Sequence, residues 1–440
     1  MSVFNGKRIK AEIYGASRGE KIGVKISGLD GFSFDENKLK DFLKRRSPSD
    51  KVYSTARKER DIPVFSGEIT ENTGKITDEI TGKITGEITS RITGEITNEI
   101  AGGVTERKIS GVTERKIGGV TERKIGGEFS CEIFNEDAAK SDLKKASGKN
   151  EVGPEYGKET VKSKFYGIPR PSHADYVRYA LSGTLDFSGG GEFSGRLTAP
   201  LCVLGGICKQ ILEENFGVKT LAYLTRVGNA SGEDYYDVCG KTNVADAFGY
   251  IGGKLGDSSF PSISDGKEML DEIKKAKNDG DSVGATVECV TTGLKVGIGG
   301  ALFGGLEGKI ASVVYAIPAV KAVEFGYGER FASARGSFVN DAMRFDENKN
   351  VIFETNRSGG INGGVSNGAD IVFRASFRPA PTISKPQKTI DLVNKENVEA
   401  TFFGRNDVCV AVRAVPVVES AAAIALLDEI LATTNRKLNR

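Results

Sequence analysis

The sequence predicts an α+β fold that is interrupted by a long repetitive segment. Strand-like and helix-like patterns both occur, but they do not alternate regularly, so a doubly wound parallel sheet is not indicated. Residues 70–125 carry a short repeat and divide the chain of 440 residues into two parts. No window approaches about 18 uninterrupted apolar residues, so we expect no transmembrane helix.

Secondary-structure patterns can be placed in both parts of the chain. Residues 8–14 and 21–27 alternate like two strands around a turn. Residues 36–46 have the pattern of a helix that Asp35 would cap. Further helices are predicted over 200–216, 264–278 and 417–435, and further strands over 219–226, 282–292 and 370–377.

The repetitive segment has an unusually short period. From Ile76 to Ile100 an isoleucine recurs every four residues, and an eight-residue unit then begins at Val104, Val112 and Val120. A period of four keeps every isoleucine on one face of a strand, whereas Thr and Gly disfavour a helix. We expect a low-complexity insertion that is flexible or loosely β-rich. A solenoid-like binding module is the alternative, although its unit would be unusually short.

The charge balance limits the function classes. The chain has 61 basic and 59 acidic side chains, a formal net charge of +2. Coating nucleic acid or an anionic membrane needs a strong positive field, so neither partner is expected. The N-terminal residues lack the apolar core of a secretory signal, which predicts a cytoplasmic protein.

Cysteine and histidine usage excludes several kinds of site. The six cysteines lie far apart and form no C-x-x-C pair, so we expect reduced core thiols and no metal site. His173 is the one histidine of the chain. Any imidazole chemistry must therefore use this residue.

Two familiar motifs are matched only superficially. Residues 15–19 fit the nucleophile elbow G-x-S-x-G, but a strand pattern follows where that motif needs a helix. The glycine-rich runs at 189–191, 299–305 and 359–368 do not satisfy the dinucleotide or P-loop spacing. A serine hydrolase and a standard phosphate loop are therefore disfavoured.

Glycine-rich turns recur beside isolated arginines. Glycines let backbone amides approach an anion closely, and arginines bind phosphate and carboxylate through paired hydrogen bonds. Several arginines gathered from distant segments would suit a small polyanionic ligand, while an ordinary surface role is the alternative for each one. The arginines concerned are Arg45, Arg46, Arg57, Arg196, Arg378, Arg405 and Arg413.

Three blocks of sequence closely resemble chorismate synthase. The first is Arg-Pro-Ser-His-Ala-Asp-Tyr at 170–176, and the second is the triple-glycine block at 186–200. The third runs from Ser358 to Glu419 and contains Gly-Arg-Asn-Asp-Val-Cys at 404–409. Residues 14–19, 45–46, 54–59 and 317–321 are also similar to family segments, and all occur in the family's order.

The resemblance implies a lyase of the shikimate pathway. The family removes phosphate from 5-enolpyruvylshikimate 3-phosphate by an anti 1,4-elimination that gives chorismate and requires reduced FMN. It implies one β-α-β sandwich domain over 1–69 and 126–440, with 70–125 inserted, and assembly as a homotetramer. Reduced FMN is expected from an external flavin reductase or another NADPH-dependent source.

The resemblance also assigns site residues. His173 is expected to protonate or hydrogen-bond the reduced flavin, Asp407 to help move the substrate proton, and Arg18 to stand where the family has a histidine that assists phosphate departure. Cofactor-binding positions are Glu192, Phe193, Ser194, Pro318, Ala319, Gly363, Arg378, Pro379, Ala380, Pro381, Thr382 and Arg405. Contacts to substrate or cofactor anions are expected from Arg46, Arg57 and Arg196.

Four residues depart from the family pattern. Arg18 can bind phosphate but cannot act as an acid near neutral pH. Ser188, Glu192 and Asn406 also replace the family's basic residues, and Glu192 brings a negative charge to an anion site. A catalytically impaired flavin- or anion-binding homologue, acting as an interaction protein through 70–125, is therefore the alternative function.

Overall fold

The computed structural model describes most of the chain outside the repeat. It describes residues 1–17, 19–48, 60–71, 122–135, 155–156, 159–160, 167–185, 187, 189–404 and 406–438. Residues 72–121 therefore lie outside the described part, together with the predictions made for the repeat. The extent of the predicted domain stays a prediction.

The first sheet is antiparallel and, among the described residues, has six strands. Their order is β1-β2-β3-β6-β4, and β5 also pairs with β6. The strands are β1 (Ser2–Asn5), β2 (Lys10–Gly15), β3 (Lys21–Ser27), β4 (Ser33–Asp35), β5 (Val64–Glu71) and β6 (Glu122–Phe134). Because β2 is followed directly by β3, the G-x-S-x-G match at residues 15–19 lies in a strand-to-strand turn, as predicted.

The second sheet is also antiparallel and has five described strands in the order β10-β9-β11-β17-β12. They are β9 (Lys219–Val227), β10 (Ala230–Ser231), β11 (Ala285–Thr292), β12 (Val320–Phe325) and β17 (Ile371–Phe377). Four two-stranded hairpins complete the β structure: β7 (Glu155–Tyr156) with β8 (Glu159–Thr160), β13 (Met343–Phe345) with β14 (Val351–Phe353), β15 (Ile361–Asn362) with β16 (Val365–Ser366), and β18 (Gln387–Asp391) with β19 (Glu396–Ala400).

The helices fall into an inner and an outer set. The described helices are α1 (Glu36–Arg46), α2 (Asp175–Ser182), α3 (Thr198–Phe216), α4 (Tyr235–Lys241), α5 (Val244–Asp257), α6 (Lys267–Asn278), α7 (Leu306–Tyr315), α8 (Gly336–Val339) and α9 (Ala411–Leu438). Helix α3 packs on the first sheet and α9 on the second, and the two helices pack against each other. This is the α+β, sheet–helix–sheet sandwich that the sequence predicted.

The inner helices, α3 and α9, are buried because they are apolar on nearly all sides. Residues 411–430 of α9 are almost entirely buried, as a helix without a polar face must be. A Cβ atom on Gly205 of α3 would collide with the Cα of Ser420 in α9. Glycine at 205 therefore permits the close approach of the two central helices.

The outer face of the second sheet is covered as well. Helices α4 and α5 pack their apolar side chains against Tyr223, Val290 and Val372 of three neighbouring strands. Both faces of this sheet are thus buried. That explains the nearly continuous burial of β11 and β17.

A buried carboxylate stabilises the junction of α1, α3 and α9. Both oxygens of Glu419 accept hydrogen bonds from Arg45, at 2.6 and 3.0 Å, and Lys209 forms a second ion pair with it. The backbone N–H of Ala222 also donates to Glu419. Burial alone would raise the pKa of Glu419, but the charges of Lys209 and Arg45 outweigh burial and lower it to about 2.

Most predicted elements are confirmed, with differences at their ends. Asp35 caps α1 through hydrogen bonds from the backbone N–H groups of Asn37 and Lys38. The last helix begins at Ala411 and includes Pro416, so it starts six residues before the predicted 417. Strand β1 was missed, because four residues at the chain start carry too little pattern.

The strands beside the repeat are longer than the sequence indicated. Glu71 pairs with Arg123 and Thr70 with Lys124, so both ends of the predicted insertion belong to the β5–β6 pair. Of the helices in the described residues, none is long and apolar enough to cross a membrane.

Replacing Glu419 by Gln tests the buried ion pairs. A carboxylate whose pKa is lowered on folding stabilises the fold above its unfolded pKa, and this stabilisation is lost as pH falls through about 2. We expect Glu419→Gln to lower the free energy of unfolding by about 3 kcal/mol at pH 7, measured by urea titration. The difference from the parent protein should shrink between about pH 5 and pH 2. An equal effect of Glu214→Gln, an exposed matched control, would contradict this explanation.

Shortening the insertion tests the β5–β6 pairing. Replacing residues 72–121 by Asn-Gly leaves a three-residue connection between the paired residues Glu71 and Arg123, a length that hairpins use. We expect the far-ultraviolet circular dichroism spectrum to retain the contribution of the described strands and helices. We also expect the variant to catalyse the reaction of the parent chain at an unchanged rate. Loss of activity in this variant with an intact fold would favour the alternative in which the insertion carries the function.

Candidate functional site

A cavity of about 1050 Å³ lies where several loops meet at the ends of α1, α3 and α9. Its walls come from residues 170–174, 189–198, 315–321, 377–382 and 403–417, with Arg46 of α1. These segments are far apart in the chain. The cavity brings together the following predicted residues: His173, Asp407, Glu192, Phe193, Ser194, Pro318, Ala319, Arg378, Ala380, Pro381, Thr382, Arg46 and Arg196.

His173 is held by an acidic neighbour. Its Nδ1 atom lies 2.7 Å from Oδ1 of Asp175, the first residue of α2. Asp175 also accepts two hydrogen bonds from the Arg170 guanidinium, at 2.7 and 2.8 Å. Burial would raise the pKa of Asp175, but Arg170 and His173 outweigh it and lower the pKa to about 2. The imidazole is therefore fixed against an ionised, immobile carboxylate.

The turn before His173 has an uncommon backbone conformation. Ser172 has a φ of 58°, in the left-handed region where glycine is favoured. The Nη1 of Arg378 donates a 2.6 Å hydrogen bond to the carbonyl of Ser172. Arg378 thus links the end of β17 to the histidine turn.

Two of the predicted anion-binding arginines share one buried carboxylate. Asp61 accepts a 2.6 Å hydrogen bond from Arg46 and forms a second ion pair with Arg196. The Asp61 side chain is fully buried. Burial would raise its pKa, but the charges of Arg46 and Arg196 outweigh burial and lower it.

Most of the N–H donors of the Arg46 side chain form hydrogen bonds within the protein. It donates to Thr198 Oγ1 at 2.9 Å and to the carbonyls of Gly195 and Arg196, in addition to Asp61. The Arg46 guanidinium, which has about five N–H groups, thus donates four hydrogen bonds to protein atoms. Direct substrate contact by Arg46 stays a prediction, and these hydrogen bonds favour a supporting role.

Asp407 is oriented by Arg413 of α9. The Nη1 of Arg413 donates a 2.7 Å hydrogen bond to Oδ2 of Asp407, and its Nε donates to the carbonyl of Arg46 at 2.9 Å. Burial lowers the pKa of Arg413, partly offset by the charge of Asp407. A chain of hydrogen bonds therefore runs from Asp61 through Arg46 and Arg413 to Asp407.

The loop at 189–197 forms one wall with two short 3-10 turns, Gly191–Phe193 and Gly195–Leu197. Ser194 caps the second turn by accepting a hydrogen bond from the backbone N–H of Arg196. Glu192 is about half exposed, and its carboxylate lies 4.0 Å from Arg178 of α2. The negative charge at Glu192 therefore has a basic neighbour in α2.

The opposing segments are joined through their backbones. Ala319 has a φ of 78°, and its carbonyl accepts a 2.9 Å hydrogen bond from the backbone N–H of Arg378. Ser282 donates to the carbonyl of Ala380 at 2.7 Å. A backbone hydrogen bond therefore joins the predicted cofactor positions at 318–319 to those at 378–382.

Some predicted residues lie elsewhere or outside the described part. Gly363 lies in the turn between β15 and β16, next to the loop at 299–305, and is not among the described residues that line the cavity. Pro379 lies between two lining residues without lining the cavity itself. Arg18, Arg57, Arg405 and Ser188 lie outside the described residues, so their predicted roles stay predictions.

Sequence reasoning missed the two aspartates that organise the site. Asp175 stood inside the block that includes His173, two residues after it, which was an available signal. Asp61 offered no signal in the sequence, because 135 positions separate it from its partner Arg196. In the described part of the chain, no group of three His, Cys, Asp or Glu residues is placed to hold a metal ion.

Replacing Asp61 by Asn tests the shared carboxylate. The variant leaves two buried guanidinium groups without their counter-charge, which typically costs about 3–5 kcal/mol of folding free energy. We expect a decrease of this size in urea titration, partly reversed by added inorganic sulfate, because a bound anion can replace the lost charge. Asp41→Asn, at an exposed pair with Lys44, serves as the matched control. Equal stabilities of the two variants would contradict the assigned role.

Comparison with known proteins identifies the family. The family model described as chorismate synthase matches residues 81–431. A chorismate synthase of Lancefieldella parvula is 32% identical over 430 residues, covering 96% of this chain and 94% of that protein. One of Korarchaeum cryptofilum is 40% identical over 278 residues, covering 62% of this chain and 74% of that protein.

A solved structure has the same fold. It is described as the crystal structure of chorismate synthase, and it matches with a TM-score of 0.62 at 20% sequence identity. The match covers 98% of this chain and 93% of that chain. The near-complete match to named enzymes favours the lyase over an interaction protein. The chain belongs to the chorismate synthase family, the lyases that form chorismate in aromatic amino-acid biosynthesis.

Proposed function

We propose that the cavity binds 5-enolpyruvylshikimate 3-phosphate together with reduced FMN and carries out the anti 1,4-elimination of phosphate. The observation that carries this proposal is that His173 and Asp407, which come from distant segments of the chain, line the same cavity. Five arginines of the described part of the chain also line it. An imidazole, a carboxylate and several guanidinium groups suit a reaction that moves a proton and releases a phosphate anion.

The charge of the cavity supports a polyanionic substrate. Among the described residues, the Lys and Arg side chains that line it outnumber the acidic ones, Glu192 and Asp407, even when the buried partners Asp61 and Asp175 are counted with the acidic side. The substrate carries two carboxylates and a phosphate, and a cleft lined by positive charge concentrates such an anion. Arginine also stabilises the negative charge that develops on a departing phosphate.

The lining also fits reduced FMN. The hydroxyls of Ser194 and Thr382 and the guanidinium of Arg378 supply donors and acceptors, and Pro318, Ala319 and Pro381 supply apolar surface. A planar ring with polar edges and an anionic tail needs both kinds of contact. When bound, reduced FMN supplies electron density that eases cleavage of the carbon–oxygen bond without net redox change. Gly363 and Arg405 are assigned to FMN by family resemblance alone.

The protein's own groups handle the proton and the charge. Phosphate leaves with the electron pair of the C–O bond, and the proton at the other end of the diene system is lost as the new double bond forms. Asp407 is proposed to help move that proton, and the hydrogen bond from Arg413 keeps its carboxylate in place. His173 is proposed to hold or exchange a proton with the bound cofactor through its ring. We propose that Arg18 stabilises the departing phosphate electrostatically, since it cannot act as an acid near pH 7.

The surroundings of the reaction are proposed from family resemblance. We propose a cytoplasmic homotetramer that receives reduced FMN from an external flavin reductase or another NADPH-dependent source. Light scattering of the purified chain measures the assembly state. A monomer that is fully active would overturn the tetramer.

An anaerobic assay tests the function directly. The purified chain with chemically reduced FMN and 5-enolpyruvylshikimate 3-phosphate should form chorismate and inorganic phosphate in equal amounts. Asp407→Asn should lower kcat by about 10²–10⁴-fold, the usual loss for an acid–base group. Asp271→Asn, at an exposed residue of α6, is the matched control and should change kcat less than twofold. No chorismate from the parent chain would refute the proposal.

The same assay tests Arg18. Arg18→Ala should lower kcat by about 10²-fold or more, because the charge that stabilises the departing phosphate is lost. Arg18→His restores the family residue and should raise kcat above that of the parent chain. A slow parent enzyme that stays equally slow in Arg18→His would contradict electrostatic compensation.

A further inference from the structure

The histidine of the cavity is held in a way that fixes which ring nitrogen carries the proton. His173 Nδ1 lies 2.7 Å from Asp175 Oδ1, and the Asp175 side chain is only 2% exposed. The His173 side chain is 19% exposed and lines the cavity. One ring edge therefore faces a buried carboxylate, while the ring remains accessible to a bound molecule.

The orientation of the carboxylate is set by Arg170. The Nε and backbone N–H of Arg170 donate to Oδ2 of Asp175, at 2.7 and 3.0 Å, and Nη2 donates to Oδ1 at 2.8 Å. An ionised carboxylate only accepts hydrogen bonds, so Nδ1 of His173 must be the donor. In the neutral ring this places the free lone pair on Nε2. Nε2 has no hydrogen-bond partner within the part of the chain that the structure describes.

Two hydrogen bonds to backbone carbonyls stabilise the turn at Ser172 and His173. Arg378 donates to the carbonyl of Ser172, and the backbone N–H of His173 donates to the carbonyl of Arg170 at 3.2 Å. The carbonyl of Phe187 accepts a further hydrogen bond from Arg170 at 3.2 Å. The turn, the arginine and the aspartate therefore form one pre-assembled support for the imidazole.

We propose that Asp175, oriented by Arg170, is a positioning residue that holds His173 in the Nδ1–H tautomer and presents Nε2 to the cavity as an acceptor. This inference rests on the proposed function for its catalytic meaning. Nε2 then accepts a hydrogen bond or a proton from the bound cofactor or substrate, and any proton taken up there returns from the same atom. The opposite tautomer would present a donor and mismatch that partner.

The decisive variant is Asp175→Asn. Arg170 places two donors at the Oδ2 position and one at the Oδ1 position, so the amide oxygen is favoured at Oδ2. The amide NH₂ then faces His173 Nδ1. A ring that receives a hydrogen bond at Nδ1 carries its proton on Nε2. The substitution therefore reverses the tautomer while keeping the size of the side chain.

Nitrogen NMR reads the tautomer without substrate or cofactor. Because His173 is the one histidine of the full chain, [¹⁵N]histidine labelling gives a single pair of ring nitrogens. At a pH where the ring is neutral, we expect the parent protein to show the Nδ1–H pattern and Asp175→Asn the Nε2–H pattern. A parent protein with the Nε2–H form or an even mixture overturns the proposal, even if the variant fails to fold.

Kinetics test whether the tautomer matters for the reaction. We expect Asp175→Asn to lower kcat by about 10- to 100-fold, as is typical when a supporting partner is removed, with KM for the substrate changed less than threefold. In a His173→Ala background the same substitution should change kcat less than twofold, because its effect passes through the imidazole. Asp271→Asn is again the matched control. A large additional loss in the His173→Ala background overturns the positioning role.

The two hypotheses fail differently. A parent chain that forms no chorismate but shows the Nδ1–H form, reversed in Asp175→Asn, refutes the proposed function and leaves the positioning by Asp175 intact. A parent chain that forms chorismate while Asp175→Asn keeps the Nδ1–H form refutes the positioning alone.

Discussion

The candidate site depends on one buried carboxylate that neutralises two guanidinium groups. Asp61 binds Arg46 at the end of α1 and Arg196 near the end of the loop that leads into α3. Two buried cations this close together would repel each other strongly without it, since desolvated charges need a partner. Arg46 in turn accepts a hydrogen bond from Arg413 at its carbonyl, and Arg413 orients Asp407. The position of the proposed proton-transferring carboxylate is therefore coupled to a charge that lies outside the cavity lining.

The site has two separately supported polar groups. Asp407 is oriented from α9 through Arg413, whereas His173 is oriented from the start of α2 through Asp175 and Arg170. Each has a buried charged residue behind it, and the hydrogen bonds given for the two supports involve different residues. The protein thus prepares both groups before any ligand arrives, which is the arrangement that electrostatic catalysis requires. Three of the supporting residues, Arg46, Asp175 and Arg413, lie at the ends of helices, which hold them in place.

Sequence alone predicted the class of the fold and most of its elements. Segments such as α3 and β17 were found from the spacing of their apolar residues, although in the structure both are buried on nearly all sides. The β-α-β layering and the family followed from resemblance, as no periodicity specifies how sheets and helices stack. Ends were less accurate: α9 continues through Pro416 because the surrounding core, including a hydrogen bond from Ser420 to the carbonyl of Pro416, holds the helix there.

The candidate site was predicted by resemblance more fully than by residue chemistry. Motif matches pointed to His173 and Asp407, which line the same cavity, but they pointed equally to Gly363, which lies in a hairpin elsewhere. Arg46 looked like a ligand-binding arginine, yet most of its donors are used within the protein. The supporting aspartates could not be inferred with the same ease, because a residue that acts through another leaves no chemical motif of its own. Their recognition required distances between segments that are remote in the chain.

The pairing of Glu71 with Arg123 bears on how the length of the repeat can change. Most of the repeat lies between two residues that face each other at the end of a two-stranded ribbon. A connection that begins and ends at one residue pair can gain or lose whole units without shifting the register of the ribbon.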